Sequence, residues 1–228
     1  MAWRLQAGLP FHDNHDSMSP LIKKRQGAYL PHWTRPGGTY AVCFRLGDSL
    51  SQERLRQVRW ERKFILANAK VQHRTFTLDE RCRLSYLYSR RIEAFLQNGH
   101  GACWLRQDDV ATLVVEALHA EEGHFYRLFA WCVMPNHVHV VVQPYAHASL
   151  PTILNQWKGT TARYANRQLG RDGHFWAREY YDHLIRTRKE LLHHITYTWN
   201  NPMKAGLQHW KWRWKISNQE LAQYWPEE

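Results

Sequence analysis

A chain of 228 residues can bury one substantial core with room for an insertion or a tail, and it is too short to demand two full domains. Its 31 Lys and Arg against 20 Asp and Glu leave a formal net charge of +11, with 12 Trp and 11 Tyr interleaved among the cations, a composition that favours single-stranded nucleic acid over an acidic-surface role. No stretch approaches the roughly 20 apolar residues that span a bilayer and the first ten lack a secretory apolar core, so a membrane role is excluded and a cytoplasmic location is expected. Cys43, Cys82, Cys103 and Cys132 are widely spaced with no C-x-x-C pair, which predicts buried reduced thiols and argues against a zinc finger.

In chain order, residues 1–27 are polar and basic without a clear period and read as a loose arm. Trp33 to Gly38 is a turn-rich lead into Thr39–Leu46, a β-branched and aromatic first strand. Residues 51–98, rich in Arg, Gln, Glu and Leu without proline, predict a helical insertion of two helices, one after Ser51 and one near Thr77. Asp108 or Asp109 caps a helix whose apolar positions Val110, Leu113, Val114, Ala117 and Leu118 follow a 3.6-residue period, ended by Gly123. Phe125–Val133 and the stretch from His137 are then adjacent antiparallel strands joined across Pro135 and Asn136. Ser149 with Pro151 opens a helix to about Leu169, and Tyr180–Ile185 is a fourth strand. With the insertion set aside, the order β-α-β-β-α-β-α is that of an α+β, ferredoxin-like split β-α-β antiparallel sheet with an added helix.

Two places carry candidate chemistry. Side chains alternate along a strand, so His137 and His139 share one face while Val138, Val140 and Val142 share the other. Two imidazoles on one face can hold a metal ion, and an H-x-H pair is equally well two half-exposed strand residues. In the last helix, Thr187 with Glu190 is a capping-box signature, and Pro202 predicts an end near Asn200 or Asn201. Leu191, Leu192, Ile195 and Trp199 form its core stripe. At roughly 100° per residue Tyr197 lies about 180° from that stripe, with His193 and Asn201 on its own face. That geometry suits a nucleophile with a metal ligand beside it, and equally an ordinary half-exposed tyrosine. Combined, the two signals describe a metal-assisted tyrosine nucleophile acting on a phosphodiester.

The segments Trp131-Cys132-Val133-Met134-Pro135-Asn136-His137-Val138-His139 and Ile195-Thr196-Tyr197-Thr198-Trp199-Asn200-Asn201-Pro202-Met203-Lys204-Ala205-Gly206-Leu207 resemble the REP-associated tyrosine transposases, single-tyrosine HUH transposases of bacterial insertion sequences. Phe175–Tyr180 and Asp182–Arg186 fit the same pattern, and Tyr29–Trp33 fits it more loosely. The resemblance covers residues 28–208 apart from the insertion at 51–98, leaving 209–228 as an aromatic and basic tail. It implies that His137 and His139 are the metal-binding pair, Tyr197 the nucleophile and Asn201 the ligand completing a Mg²⁺ or Mn²⁺ site. It also implies cleavage and strand transfer of single-stranded DNA at palindromic hairpins through a 5′-phosphotyrosine, by a monomer or a homodimer.

Lys158, Arg163, Arg178, Arg186 and Arg188, with Arg35, are candidate phosphate contacts, and Trp33 and Trp176 candidate base-stacking residues; each is equally a solvated charge or a packing tryptophan. Asp182 and His183 are candidates for support of the metal shell. In the tail, Trp210–Lys215 alternates aromatic and basic residues, which on a strand gives one aromatic and one cationic face. Two other functions fit the same residues. One is a hairpin-binding protein that no longer transposes, and the other a metal-dependent nuclease in which water attacks.

Overall fold

The computed structural model of the protein describes residues 23–26, 31–77, 79, 80, 84, 87 and 91–225. Residues 1–22, Cys82 and the Trp33 side chain lie outside the described residues. A five-stranded antiparallel sheet has the order β6-β3-β5-β4-β7, built from β3 (Thr39–Leu46), β4 (Tyr126–Met134), β5 (His137–Pro144), β6 (Trp176–Ile185) and β7 (Arg213–Lys215). Its first four strands have the ferredoxin-like arrangement expected from the element order. The basic residues Lys23–Gln26, expected in a loose arm, form β1, which pairs with β2 (Pro31–Thr34). The turn-rich lead is therefore a short hairpin arm followed by a turn at Pro36 and Gly37.

The sheet's two faces divide the helices. Val138, Val140 and Val142 point into the larger core, where α3 (Asp108–His119) contributes Val110, Val114 and Leu118, and α4 (Leu150–Gln168) contributes Ile153, Leu154 and Trp157. On the opposite face, Phe129, Ala130 and Val141 pack against Leu191 and Ile195 of α5 (Arg188–Lys204) and against Leu221 of α6 (Asn218–Tyr224). Two successive residues, Phe129 and Ala130, reach that face because the register shifts between Leu128 and Ala130, where a bulge breaks the alternation. The insertion supplies α1 (Gln52–Val71), whose Ser51 caps the Arg54 N–H as expected, and the short α2 (Ile92–Gln97). Val58, Ile65 and Leu87 give it a small core of its own.

Three boundaries differ from the sequence reading. Gln107, without a side-chain cap bond, precedes α3, and Asp108 and Asp109 sit in its first turn, where their charge favours the positive end of the helix. Strand β6 starts at Trp176 rather than Tyr180, because an edge strand tolerates the charged Arg178 and Glu179. Helix α5 runs through Pro202 to Lys204. A proline so near the end forfeits a single intrahelical bond, and the last carbonyls are taken up by the Ala205 and Leu207 N–H groups, which donate to Asn201 and Pro202. Of the tail, only Arg213–Lys215 is strand: β7 pairs with β4 in the register Trp131↔Trp214, with Trp212 against the larger core, Trp214 against both cores and the Arg213 guanidinium 4.3 Å from the Trp199 ring centre.

Candidate active site

The β4–β5 hairpin closes through Pro135 and Asn136, and His137 and His139 open β5 on the face that α5 covers. Each pairs across the sheet with a residue of β3, His139 with Cys43 and His137 with Arg45. Helix α5 crosses this face, so Tyr197 meets the pair: the His137 and His139 rings are 4.9 Å apart, and the Tyr197 ring lies 5.8 Å from that of His139, edge-on at 83°. Asn201, one turn beyond Tyr197, is fully buried. The structure thus brings together all four residues that the sequence singled out. Cys43 and Cys103 are partly buried rather than buried; they and Cys132 are free thiols among the described residues.

Burial governs the electrostatics. His137 is 0% and His139 5% exposed. Asn136 Nδ2 donates to the His100 carbonyl at 2.9 Å, which leaves its Oδ1 to accept from His137 Nδ1 at 2.7 Å. An amide oxygen only accepts, so Nδ1 carries the proton and Nε2 presents a bare lone pair. Burial, reinforced by the neighbouring His139, pushes the His137 pKa down to about 3, against a raising pull from Glu93, and keeps the ring neutral. Burial also raises the Tyr197 phenol well above its ordinary 10.0, and the Glu93 carboxylate raises it further.

Glu93 is the residue that sequence reasoning missed. It stands on α2, its Oε1 lies 3.3 Å from His139 Nε2, and it accepts from Asn201 Nδ2 at 3.2 Å. Burial pushes its carboxyl up, but the facing His139 and the bonded Tyr197 outweigh that and hold it well below the usual range. Nothing in the sequence marks this glutamate among the insertion's many charges, because only the fold carries it to residues 44 and 46 positions further along the chain. Donor atoms of Glu93, His137 and His139 all lie within 4.8 Å of one another. The His137 Nε2, His139 Nε2 and Asn201 Oδ1 atoms are buried with no hydrogen-bond partner. Orphaned donor atoms converging with a carboxylate fit a divalent cation: imidazole nitrogens with amide and carboxylate oxygens accommodate Mg²⁺ or Mn²⁺ and leave the ion's identity open.

The other expected contacts are mostly elsewhere. Trp176 is 5% exposed, set edge-on to Phe44 and Phe175, with its Nε1 donating to Thr161 Oγ1 at 2.8 Å; it is a core residue and cannot stack an unpaired base. Lys158 and Arg163 ride on α4, which covers the opposite face of the sheet from the histidines. Lys158 Nζ donates to the Arg178 carbonyl at 2.9 Å, and its own burial lowers its pKa to about 8. Arg178 is exposed on β6, Arg35 is exposed beyond β2, and Arg186 and Arg188 stand at the start of α5. Asp182 is paired with His32 at 2.6 Å, tying the β1–β2 arm to β6, and His183 faces His194 and Glu190; neither supports the metal-binding pair. Two cations beside the tyrosine's groove are on its own helix. Lys204 Nζ is 4.0 Å from the Tyr197 ring centre, and Lys189, His193, Thr196 and Asn200 line a shallow groove with them.

Residues 107–197 match the family model described as Transposase IS200 like. Over 95 residues the chain is 33% identical to a Haemophilus influenzae protein named provisionally as a REP-associated tyrosine transposase, an alignment covering 37% of this chain and 54% of the relative. Over that stretch the chain is similar to a REP-associated tyrosine transposase. It spans about half the length of that Haemophilus protein. Among solved structures, one of a REP-associated tyrosine transposase bound to a REP hairpin aligns over 84% of this chain and 81% of its own, with 14% identity and a TM-score of 0.44. Another, described provisionally as a transposase from Deinococcus radiodurans, aligns over 77% of this chain and 98% of its own, with 16% identity and a TM-score of 0.28. Among the described residues no helix is long and apolar enough to cross a membrane.

Proposed function

We propose that this protein cleaves and rejoins single-stranded DNA at palindromic hairpins, with Tyr197 as the nucleophile and His137, His139 and Asn201 as ligands of a Mg²⁺ or Mn²⁺ ion. The observation that carries this reading is the approach of Tyr197 to His139, 5.8 Å between ring centres, over a pocket of orphaned buried donor atoms. The transposase-like stretch at residues 107–197 and the similarity to a REP-associated tyrosine transposase support the substrate class. The cation would polarise the scissile phosphodiester and offset the charge that builds on it. Tyr197 Oη then forms the new P–O bond in line, the P–O3′ bond breaks, the phenol loses its proton and the departing oxygen leaves as a 3′ hydroxyl. The phosphotyrosine keeps the strand's 5′ phosphate activated, so a 3′ hydroxyl attacking it reseals or transfers the strand without ATP. Lys204 and Lys189 beside the tyrosine supply positive charge along the groove by which a phosphate backbone would approach. The reaction belongs in the bacterial cytoplasm with the DNA.

A labelled hairpin with a single-stranded flank, Mn²⁺ and a denaturing gel test the assignment. A protein-linked DNA band that disappears in Tyr197→Phe, with hairpin binding retained, is the expected result. Free fragments alone, produced equally by Tyr197→Phe, would mean that water attacks; binding without any cleavage would mean a hairpin-binding protein that no longer transposes.

A further inference from the structure

Glu93 is held in the site from outside the sheet. Helix α2 is braced against α1 by the Arg91–Glu61 ion pair at 2.8 Å and by the Arg54 guanidinium 4.4 Å from the Phe95 ring centre, and its Leu96 is buried. The Glu93 side chain is only 15% exposed, and its Oε1 faces both His139 Nε2 and the Asn201 amide. It lies 3.3 Å from His139 Nε2, within ion-pair range but outside hydrogen-bond geometry. A carboxylate and two imidazole nitrogens gathered within 4.8 Å, all sheltered from water, are well matched to a shared cation.

We propose that Glu93 is the anionic ligand of the divalent ion, so that the helical insertion completes the metal centre. This rests on the metal-assisted reading given above. Without Glu93 the donor set is two imidazoles and an amide, all neutral, which leaves the ion's double charge uncompensated in a buried site and favours softer metals. The carboxylate supplies both a negative charge and a hard oxygen. By accepting from Asn201 Nδ2 it also turns the amide so that Oδ1, the atom able to bind a cation, is the one left without a partner.

Mn²⁺ titration of the full chain, followed by loss of the free-ion electron paramagnetic resonance signal, tests this with Glu93→Gln and His139→Ala. Gln keeps an oxygen able to accept from Asn201 and loses only the charge and the anionic ligand. Outer-shell partners of metal ligands are worth about 10–100-fold in affinity, so losing a direct anionic ligand should weaken Mn²⁺ binding by at least about 100-fold. The metal-free melting temperature should stay within a few degrees. Glu93→Gln with wild-type affinity, beside a His139→Ala that loses binding, would overturn the role of Glu93 and leave the metal reading standing. A wild-type chain that binds no Mn²⁺ would overturn both. Should Glu93→Gln fold poorly, Glu93→Asp, one methylene shorter but still charged, should bind between the two, and wild-type affinity in that variant would count against direct ligation.

Discussion

The presentation of His137 depends on one amide. Asn136 is fully buried in the two-residue β4–β5 connection, and its Oδ1 is the acceptor that fixes the proton on His137 Nδ1. Asn136→Ala removes that acceptor and strands a buried N–H, at about 1–3 kcal/mol of stability. The His100 carbonyl it also abandons belongs to an exposed residue, so water can replace the lost donor and little is added. Because the ring is then free to turn or to change tautomer, Mn²⁺ affinity should fall about 10–100-fold. Asn136→Asp separates the two effects. Its carboxylate accepts from Nδ1 about as well or better, which preserves metal affinity to within a few fold, but it puts a charge at a fully buried position and should still lose stability. Urea denaturation and Mn²⁺ titration of the two variants check both arms. An Asn136→Ala chain that binds Mn²⁺ as tightly as wild type would refute the claim that Nε2 is aimed through Nδ1.

Three further outcomes follow from burial. His137 and His194 are both pushed down to about 3 from 6.5, chiefly by burial, so between those pH values the unfolded chain binds protons that the folded chain refuses. Metal-free stability should therefore fall as pH drops below about 6.5, by about 1.4 kcal/mol per pH unit for each histidine, and His194→Gln should remove one proton's share of that slope in urea titrations at pH 7, 6 and 5; an unchanged slope would refute it. Trp176→Phe should cost about 1–3 kcal/mol by leaving Thr161 without its indole donor in the core, with no change in hairpin affinity by filter binding; weaker DNA binding at unchanged stability would restore it as a stacking residue. Since the orphaned site atoms are satisfied only on loading, Mn²⁺ at 100 times its dissociation constant should add about 2.7 kcal/mol. For a chain of this size that is roughly 5–10 °C in melting temperature, reversed by a chelator.

Most of the sheet was legible because period-2 patterning and local caps act over a few residues. Thr39–Leu46 was read at its observed limits, and the alternation of His137 and His139 against Val138, Val140 and Val142 gave the right division of faces. The Tyr197 face was legible for the same reason, since the stripe of Leu191 and Ile195 had to be buried somewhere. Where tertiary context decides, local rules failed. Proline argued for an end at residue 201, yet the helix continues because its missing N–H falls in the last turn. Trp176 has the composition of a stacking residue and the environment of a core one, a distinction set by Phe44, Phe175 and Thr161. The basic residues of α4 were read as near the site because α4 follows β5 in the chain, but the order of elements does not say which face the helix covers, and here it covers the valines.

Glu93 and Tyr197 are best understood together. The phenol is held protonated first by its burial and then by the Glu93 carboxylate, and that carboxylate is in turn held ionised by His139 and the phenol it faces. A tyrosine in such a place is a poor nucleophile so long as the carboxylate's charge is directed at it. Whatever offsets that charge also lowers the cost of forming the phenolate, since a negative neighbour at hydrogen-bond range disfavours a second negative charge. On the proposed mechanism, the same insertion residue would thereby link filling of the histidine site to activation of the nucleophile. This coupling needs no movement of α5, because Asn201, Tyr197 and His139 all already meet Glu93 in one buried cluster.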